Sequence, residues 1–521
     1  NIAGLAVALA SATLIMLYVR DELSFDKWVP GQEGLYRAEA TVYPPGRDPI
    51  SASSSMYPLA AVLKDEVPGV VETTRLTNQR SAVRYGDKSF FEPINPVDAN
   101  FLQVVQFPMV KGDPAAVLAR PDTAVVSEAI AKKYFGDEDP VGKVITLDSD
   151  KPVEITGVIA DLPHNTHIQI GILIPLGSKA DRALGPDGAT NPYVANWLAF
   201  NYYTYFRIAP GVDIASIEAH FPDLVRKYVK AESIGLPAGS DTADLLKLFA
   251  VPFGEMHFSN SELNFGDIPS ADWATVYGFA IIAALILLIA CINFMNLATA
   301  RATQRAREVA MRKVVGASRR QLIVQFLGES VMISLFALVV AFAMVELLLP
   351  AYDTFVDRPI ELSYLRDWDV TVGAIVTAIA AGLLGGAYPA LILSGFRPAS
   401  VLKSNRSGQS GSGRLRALLV ILQFAISIGL GITAAVVYGQ TLYAASYDAG
   451  LKRDNVLILT GIGRDQVEPV RETLRNELLA NPQVISVVAS QGVPYDTNEN
   501  NTLWNMSDNP SDNILMRVQD V

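Results

Sequence analysis

The chain has one cysteine in 521 residues, Cys291, and it lies inside an apolar run. No intramolecular disulfide is possible, so a water-exposed domain must hold together by its core alone. Histidine is nearly as scarce, with four. No nucleophile elbow, no Ser/His/Asp set with recognisable context and no motif of paired carboxylates can be found, which leaves nothing to carry hydrolase chemistry. The nearest approach to a phosphate-binding loop is Gly136-x5-Gly142-Lys143-Val144. Its spacing is wrong and it lacks the Ser/Thr that would hold magnesium. It reads as a turn before a strand, Val144 to Leu147. His164-x2-His167 follows Asp161, but two ligands do not make a zinc site. No metal and no cofactor is expected, and the two histidines are expected to be dispensable for stability. The net charge of −11 argues against a nucleic-acid partner.

Apolar residues, by contrast, are abundant at 50%. They gather in five runs: Ile2 to Val19, Tyr277 to Leu297, Met332 to Leu349, Val370 to Leu393, and Leu418 to Val437. Each approaches the ~20 residues that cross a bilayer core. Pro350 is expected to end the third. No small-residue cleavage site follows the first, and Arg20-Asp21-Glu22-Leu23 continues without a break, so it reads as an anchor rather than a signal peptide.

Charge sets the expected topology. Between Ala300 and Arg320 stand seven Lys/Arg and one acid, Glu308. Residues 394–416 carry five bases and no acid, whereas 351–369 carry five acids and two bases. Short basic loops stay in the cytoplasm, which puts the first two segments inside and the third outside. Residues 20–270 then form one external α+β domain of about 250 residues. Alternating runs at Leu35 to Val42 and Val153 to Ile159 read as half-buried strands. Ser127 to Phe135 and Ile214 to Tyr228 have helical spacing.

The basic segment is the candidate site. Gly316 suits a helix C-terminus. Ser318 with Gln321 three residues on forms a capping box for the next helix. Two helices meeting at Gly316-Ala317-Ser318 make a hairpin elbow, with Arg305, Arg307, Glu308, Arg312 and Lys313 expected to face a cytoplasmic partner. Asn293, Asn296, Glu346 and Gln423 lie mostly near helix ends, so they are read as glue between helices rather than a translocation path. Gly382-x3-Gly386 permits close helix packing, with Pro389 beyond it.

The elbow resembles the signature of the FtsX-like permeases, the MacB/LolC/LolE branch of ABC transporters. The matching residues are Asn293-Phe-Met-Asn296-Leu297, Arg307-Glu308-x3-Arg312-Lys313, Gly316-Ala317-Ser318 and Glu329-Ser330. Gly386-Ala-Tyr388-Pro389-Ala390 and Ser394-x2-Arg397-Pro398-x2-Val401-Leu402-Lys403 are similar again. Tyr134-Phe-Gly136-x3-Pro140-x-Gly142-Lys143 resembles the family's external domain. The resemblance implies a membrane helical bundle with a MacB-like periplasmic core domain, multi-pass in the bacterial inner membrane. It implies an ABC ATPase as partner, a second permease in a homo- or heterodimer, membrane lipid, and a periplasmic adaptor in the efflux reading. The expected work is mechanotransmission for efflux of a peptide, drug or lipid-like substrate. Lipoprotein extraction and regulation of a peptidoglycan hydrolase are the alternatives.

A membrane helix followed by an external segment occurs at 2–76 and again at 418–490. Val67-Pro68-Gly69-Val70-Val71 parallels Asn481-Pro482-Gln483-Val484-Ile485. The expectation is a duplicated permease, cut at both ends, whose complete form adds three membrane helices and a second elbow.

Overall fold

The computed structural model describes residues 2–43, 48–148, 151–177, 194–231, 239–259, 270–360, 362–364, 366–395, 412–447, 455–459, 467–489, 500–505 and 513–518. At 302–304, 306–307, 395, 412–416, 445, 468, 500–505 and 513–518 the backbone alone is described. The sequence positions Arg397 to Lys403 and Ser407 to Gly411, all within the basic 394–416 segment, lie outside the described residues, as does the Arg307 side chain. The chain divides into two compact units. One joins Asn1–Ser24 to Ala271–Ala449, the other Phe25–Ser270 to Gly450–Val521.

The first unit is helical. Among the described residues its helices are α1 (Ile2–Ser24), α2 (Trp273–Val314), α3 (Arg319–Val356), α4 (Trp368–Gly395) and α5 (Ser412–Ser446). Each contains a stretch long and apolar enough to cross a membrane. α1 packs on α2 and α3, and α4 on α3 and α2. Their shared core is built largely from small residues, among them Ala6, Ala10, Ala290, Ala337, Ala341 and Ala378. Small side chains let helix backbones approach where lipid offers no hydrophobic drive. α5 has no buried residue along its apolar stretch.

Two boundaries differ from the sequence expectation. α1 runs on through Arg20 to Ser24. Pro350 does not end α3, which continues to Val356 and stops at Asp357 in the left-handed conformation, φ 56°. A proline deletes one backbone donor, and membrane helices tolerate that when neighbours and side chains satisfy the freed groups. The carbonyl left without its helical partner here is that of Glu346, four residues back, and the Pro350 carbonyl itself accepts from Thr354 Oγ1 at 3.0 Å.

The second unit is α+β. The strands of its large sheet are β1 (Leu35–Val42), β2 (Ile50–Ala52), β3 (Ser55–Met56), β4 (Val70–Leu76), β5 (Gln79–Tyr85), β6 (Lys88–Val97) and β7 (Met109–Lys111). They continue with β8 (Thr123–Ser127), β9 (Val144–Leu147), β10 (Lys151–Ile159), β11 (Ile172–Pro175), β12 (Phe200–Ile208) and β13 (Leu246–Pro252). The main order is β11-β8-β10-β9-β5-β6-β4-β12-β1-β13. β4 and β6 share one register pair, Leu76 with Val97. A central core that includes Leu35, Leu76, Val97, Phe101, Leu173 and Tyr205 spans that joint, and a further core lies to either side of it. One packs the Glu128–Phe135 helix on β8, β9 and β10 through Ile130, Tyr134, Ile145 and Ile155. The other packs the Leu59–Glu66 and Phe221–Tyr228 helices on β1, β12 and β13 through Leu59, Leu63, Phe206 and Phe221. The single helix expected over Ile214 to Tyr228 is two, Ile214–Glu218 and Phe221–Tyr228. Pro222 explains the restart, because proline fits only the first turn of a helix.

The second half of the proposed repeat keeps the helix and turn, with Arg471–Ala480 ahead of Asn481. Residues 484–489, however, form no strand, unlike β4.

Candidate functional site

α2 is one continuous helix of 42 residues. Its apolar stretch ends at Arg301, so the basic turns up to Val314 extend roughly 20 Å further at 1.5 Å per residue. The helix stops as the sequence suggests. Gly316 has φ +106°, and its amide donates to the Lys313 carbonyl at 3.1 Å. The Ala317 amide reaches the Arg312 carbonyl at 3.0 Å, which satisfies groups a helix end leaves open. Ser318 then caps α3. Its Oγ accepts from the Gln321 amide at 3.3 Å, and Gln321 Oε1 accepts from the Ser318 amide at 2.8 Å. Both halves of the capping box are made.

The charged residues of the elbow close into a ring. Arg305 Nη1 donates to Glu329 Oε2 at 2.7 Å, and Arg305 Nε lies 3.4 Å from Glu308 Oε2. Glu308 Oε1 receives Arg312 Nη2 at 2.8 Å. Arg312 Nη1 donates to Gln325 Oε1 at 2.8 Å, and Gln325 Nε2 donates to Glu329 Oε1 at 3.2 Å. The hydrogen bond to Glu329 raises the Arg305 guanidinium above its ordinary value, against a smaller opposing effect of burial. Isolated surface pairs contribute little. A closed ring across two helices fixes their spacing instead.

Beneath the ring Val309, Leu322, Phe326, Ala390 and Leu393 join the ends of α2, α3 and α4. Lys313 is not an outward-facing residue, as the sequence suggested. Its Nζ donates to the Ser394 carbonyl at the end of α4, at 2.6 Å. Arg319 Nε reaches Ser394 Oγ at 3.3 Å. What the tip of the elbow does present is apolar: Met311 is 56%, Val314 62% and Val315 85% exposed.

The membrane-packing residues converge on α4. A Cβ at Gly386 would lie 2.4 Å from Ser330 Oγ, and one at Gly382 2.8 Å from the Val331 Cα. Gly385 faces the Phe294 ring of α2 in the same way. Pro389 and Asn296 are buried, and Asn293 is half-buried, its amide near Gly4 of α1. Glu346 bonds the Tyr364 hydroxyl.

In the α+β unit His167 belongs to a largely buried polar network that the sequence did not suggest. Its Nδ1 lies 2.8 Å from Asp26 Oδ2 and its Nε2 3.0 Å from the Tyr205 hydroxyl. Asp26 is fully buried, and its Oδ1 accepts from Thr166 Oγ1 at 2.9 Å and the His167 amide at 3.0 Å. Burial alone would raise the Asp26 carboxyl. Facing His167 and accepting these bonds outweighs it and holds the group below its ordinary value. Asp26 and His167 are far apart in sequence, so no local pattern could have paired them. The Gly136 to Lys143 segment lies between the Glu128–Phe135 helix and β9. It turns at Gly142 with φ +82°, as a turn and not a helix-opening phosphate loop.

Residues 1–224 match the MacB-like periplasmic core domain family, and residues 280–398 match the FtsX-like permease C-terminal family. The chain belongs to the FtsX-like, MacB-type ABC transporter permeases. The macrolide export ATP-binding/permease protein MacB of Bdellovibrio bacteriovorus is 22% identical to this permease over 358 residues, 66% of this chain and 48% of its own length. The ABC transporter permease YknZ of Bacillus subtilis is 21% identical over 329 residues, 62% of this chain and 73% of its own. The crystallised periplasmic region of MacB from Actinobacillus actinomycetemcomitans aligns with a TM-score of 0.29 at 14% identity, over 43% of this chain and 94% of that one. The permease thus spans about half the length of the MacB relative it matches. It is a multi-pass inner-membrane protein with a periplasmic domain. The elbow, the glycine seam of α4 and the three helix ends at the elbow lie within the matched 280–398 region.

Proposed function

We propose that this permease is the non-catalytic membrane subunit of an ABC system, and that an ATPase on a separate chain docks on the α2–α3 elbow. The observation that carries the reading is the division of labour at the elbow. Its charged residues brace one another, while Met311, Val314 and Val315 stand out from a tip held by a glycine turn and a capping box. Exposed apolar residues on a rigid, basic hairpin suit insertion into a groove on a partner. The excess of basic residues on the elbow supports a cytoplasmic position.

ATP-driven closure of an ATPase pair would displace the elbows. Because the ring and the Ser394 contacts bind α2, α3 and α4 together at this end, they would move as one. The motion would then reach the periplasmic domain without a hydrophilic pore through the bundle. Export is named for the MacB relative, and efflux of a peptide, drug or lipid-like substrate is the form of work we favour here. A second permease chain would complete the assembly.

Val315→Asp with Met311→Asp tests the docking. Neither side chain belongs to the packed base, so insertion is expected to be normal. Co-purification of the ATPase is expected to fall at least about tenfold, a loss of ~1.4 kcal/mol. Full retention of the ATPase, with its rate still responding to the permease, would overturn the reading.

A further inference from the structure

Seven bases stand between Ala300 and Arg320, but the acids between Ala300 and Ser330 are two, Glu308 and Glu329. Both acids are taken up in the ring, by Arg305 and Arg312. Lys313 and Arg319 both reach Ser394. Arg320 has neither role. It is exposed, and among the described residues it makes no hydrogen bond and no ion pair.

Arg320 also stands where the backbone disfavours it. Ser318 is the N-cap of α3, so Arg320 falls in the first turn, which holds no acid. The partial positive charge at a helix N-terminus opposes a cation there. Arg319 beside it has an outlet. Its Nε reaches Ser394 Oγ in the last turn of α4, an end where the macrodipole favours positive charge. Arg320 has no such outlet among the described residues. A charge set against local preference and left unpaired points to a position whose balance lies outside the chain.

Its surroundings are apolar and open. Val324 is one turn further on, on the same face of α3, and is 62% exposed. Across the turn stand Met311, Val314 and Val315 of the tip. A cation set among exposed apolar side chains suits a protein groove with an apolar floor and a charged rim. Lipid headgroups suit it less well. α2 continues for roughly 20 Å beyond Arg301 before the turn, and Arg320 lies past that turn.

Resting on the elbow-docking reading, we propose that Arg320 selects the partner. The ATPase groove that takes the tip carries a carboxylate at its rim, and Arg320 pairs with it. The apolar tip supplies contact area, and Arg320 supplies the discrimination between one ATPase and another.

The test uses the full chain in detergent, with the ATPase that co-purifies with it. Two readouts are expected to part company. Arg320→Glu is expected to weaken ATPase binding at least about tenfold, because carboxylate then faces carboxylate. The melting temperature of the same variant without ATPase is expected to hold or rise, because an acid suits the first turn of a helix. Arg320→Lys keeps the charge and is expected to bind within about threefold of the parent. Parent binding is expected to weaken as salt rises from about 0.05 to about 0.5 M, and Arg320→Gln is expected to lose most of that dependence. Arg301→Glu is the control. It makes the same change in net charge at the end of the apolar stretch, and it is expected to bind as the parent does. Unchanged affinity in Arg320→Glu, an equal loss in Arg301→Glu, or a melting temperature that falls along with binding would each overturn the assignment. If Val315→Asp with Met311→Asp still abolished binding, that failure would leave elbow docking standing on apolar contact. Failure of both sets of variants to weaken binding would remove the docking itself.

Discussion

Lys313 Nζ donates to the carbonyl of Ser394 at 2.6 Å, joining the last turn of α2 to the last turn of α4. A lysine in a basic membrane-flanking segment is ordinarily read as a contact for lipid headgroups or a partner. This one closes the base of a three-helix bundle. The elbow is therefore not a free hairpin, and its position is shared with α4.

Lys313→Met tests that link. The apolar stem is kept and the donor is lost. A hydrogen bond from a charged group contributes about 1.5–3 kcal/mol, and the half-exposed setting argues for the lower end. The melting temperature of the full chain in detergent is expected to fall, and Lys313→Arg is expected to recover part of the loss. An unchanged melting temperature in Lys313→Met would show that the contact has no energetic weight.

The ring predicts non-additivity. Glu308 and Glu329 both engage Arg305, so either one removed leaves the other to hold it. Glu308→Gln and Glu329→Gln are each expected to lower stability by less than about 1 kcal/mol. The double variant is expected to differ from the sum of the two by roughly 0.5–1 kcal/mol, as residues in one network do. A strictly additive cycle in chemical denaturation would mean that the ring is three separate pairs.

Much of this was legible in the sequence, and the reason is locality. The Gly316 turn, the Ser318/Gln321 box and the cores of all five apolar helices depend on residues within a few positions of one another. Leu35 to Val42 reads as a strand because its alternation is intrinsic, and β1 has those bounds. What escaped depends on distant pairing. Gln325 enters the ring only because the hairpin folds it back against Arg312, at about the same distance from the turn. The clamp of Arg20 on Asp367 spans 347 positions. Lys313 was misjudged for the same reason: nothing near it in sequence indicates that the end of α4 arrives beside it. The helix ends at Val19 and Pro350 were misplaced because hydropathy reports where the membrane ends, not where the helix does.

The glycine seam of α4 gives a contrast between neighbouring positions. A Cβ at Gly382 would meet the Val331 Cα and the Ser330 carbonyl at 2.8 and 3.1 Å, and backbone cannot step aside. A Cβ at Gly386 would meet the Ser330 side chain, with Oγ at 2.4 Å and Cβ at 2.6 Å. Gly382→Ala and Gly386→Ala are each expected to cost about 1–3 kcal/mol by overpacking. Ser330→Gly removes the obstacle to the second alone. Rescue of Gly386→Ala by Ser330→Gly, without rescue of Gly382→Ala, is the expected melting pattern in detergent. Equal rescue of both would mean that α3 and α4 shift freely against each other.

The final prediction concerns acid. The Asp26 carboxyl titrates below its ordinary value of 3.8 because His167 and Thr166 favour its charged form despite burial. The sign follows from linkage. In the pH range between the folded and unfolded values, the unfolded chain binds the extra proton. Asp26 therefore stabilises the fold fully at pH values well above 3.8, and that contribution is lost as pH falls through the lower folded value. Asp26→Asn cannot ionise. It is expected to be less stable than the parent near neutral pH, by about 3 kcal/mol if the loss matches other broken buried pairs. The difference is expected to shrink steadily on acidification below about pH 4. His167→Ala removes the other partner and is expected to cost a similar amount. Thermal unfolding of the full chain in detergent, followed by the circular dichroism of its strands from neutral to acid pH, reads both effects. Parallel stability curves for the parent and Asp26→Asn across that range would show that the buried carboxylate is not the group that titrates.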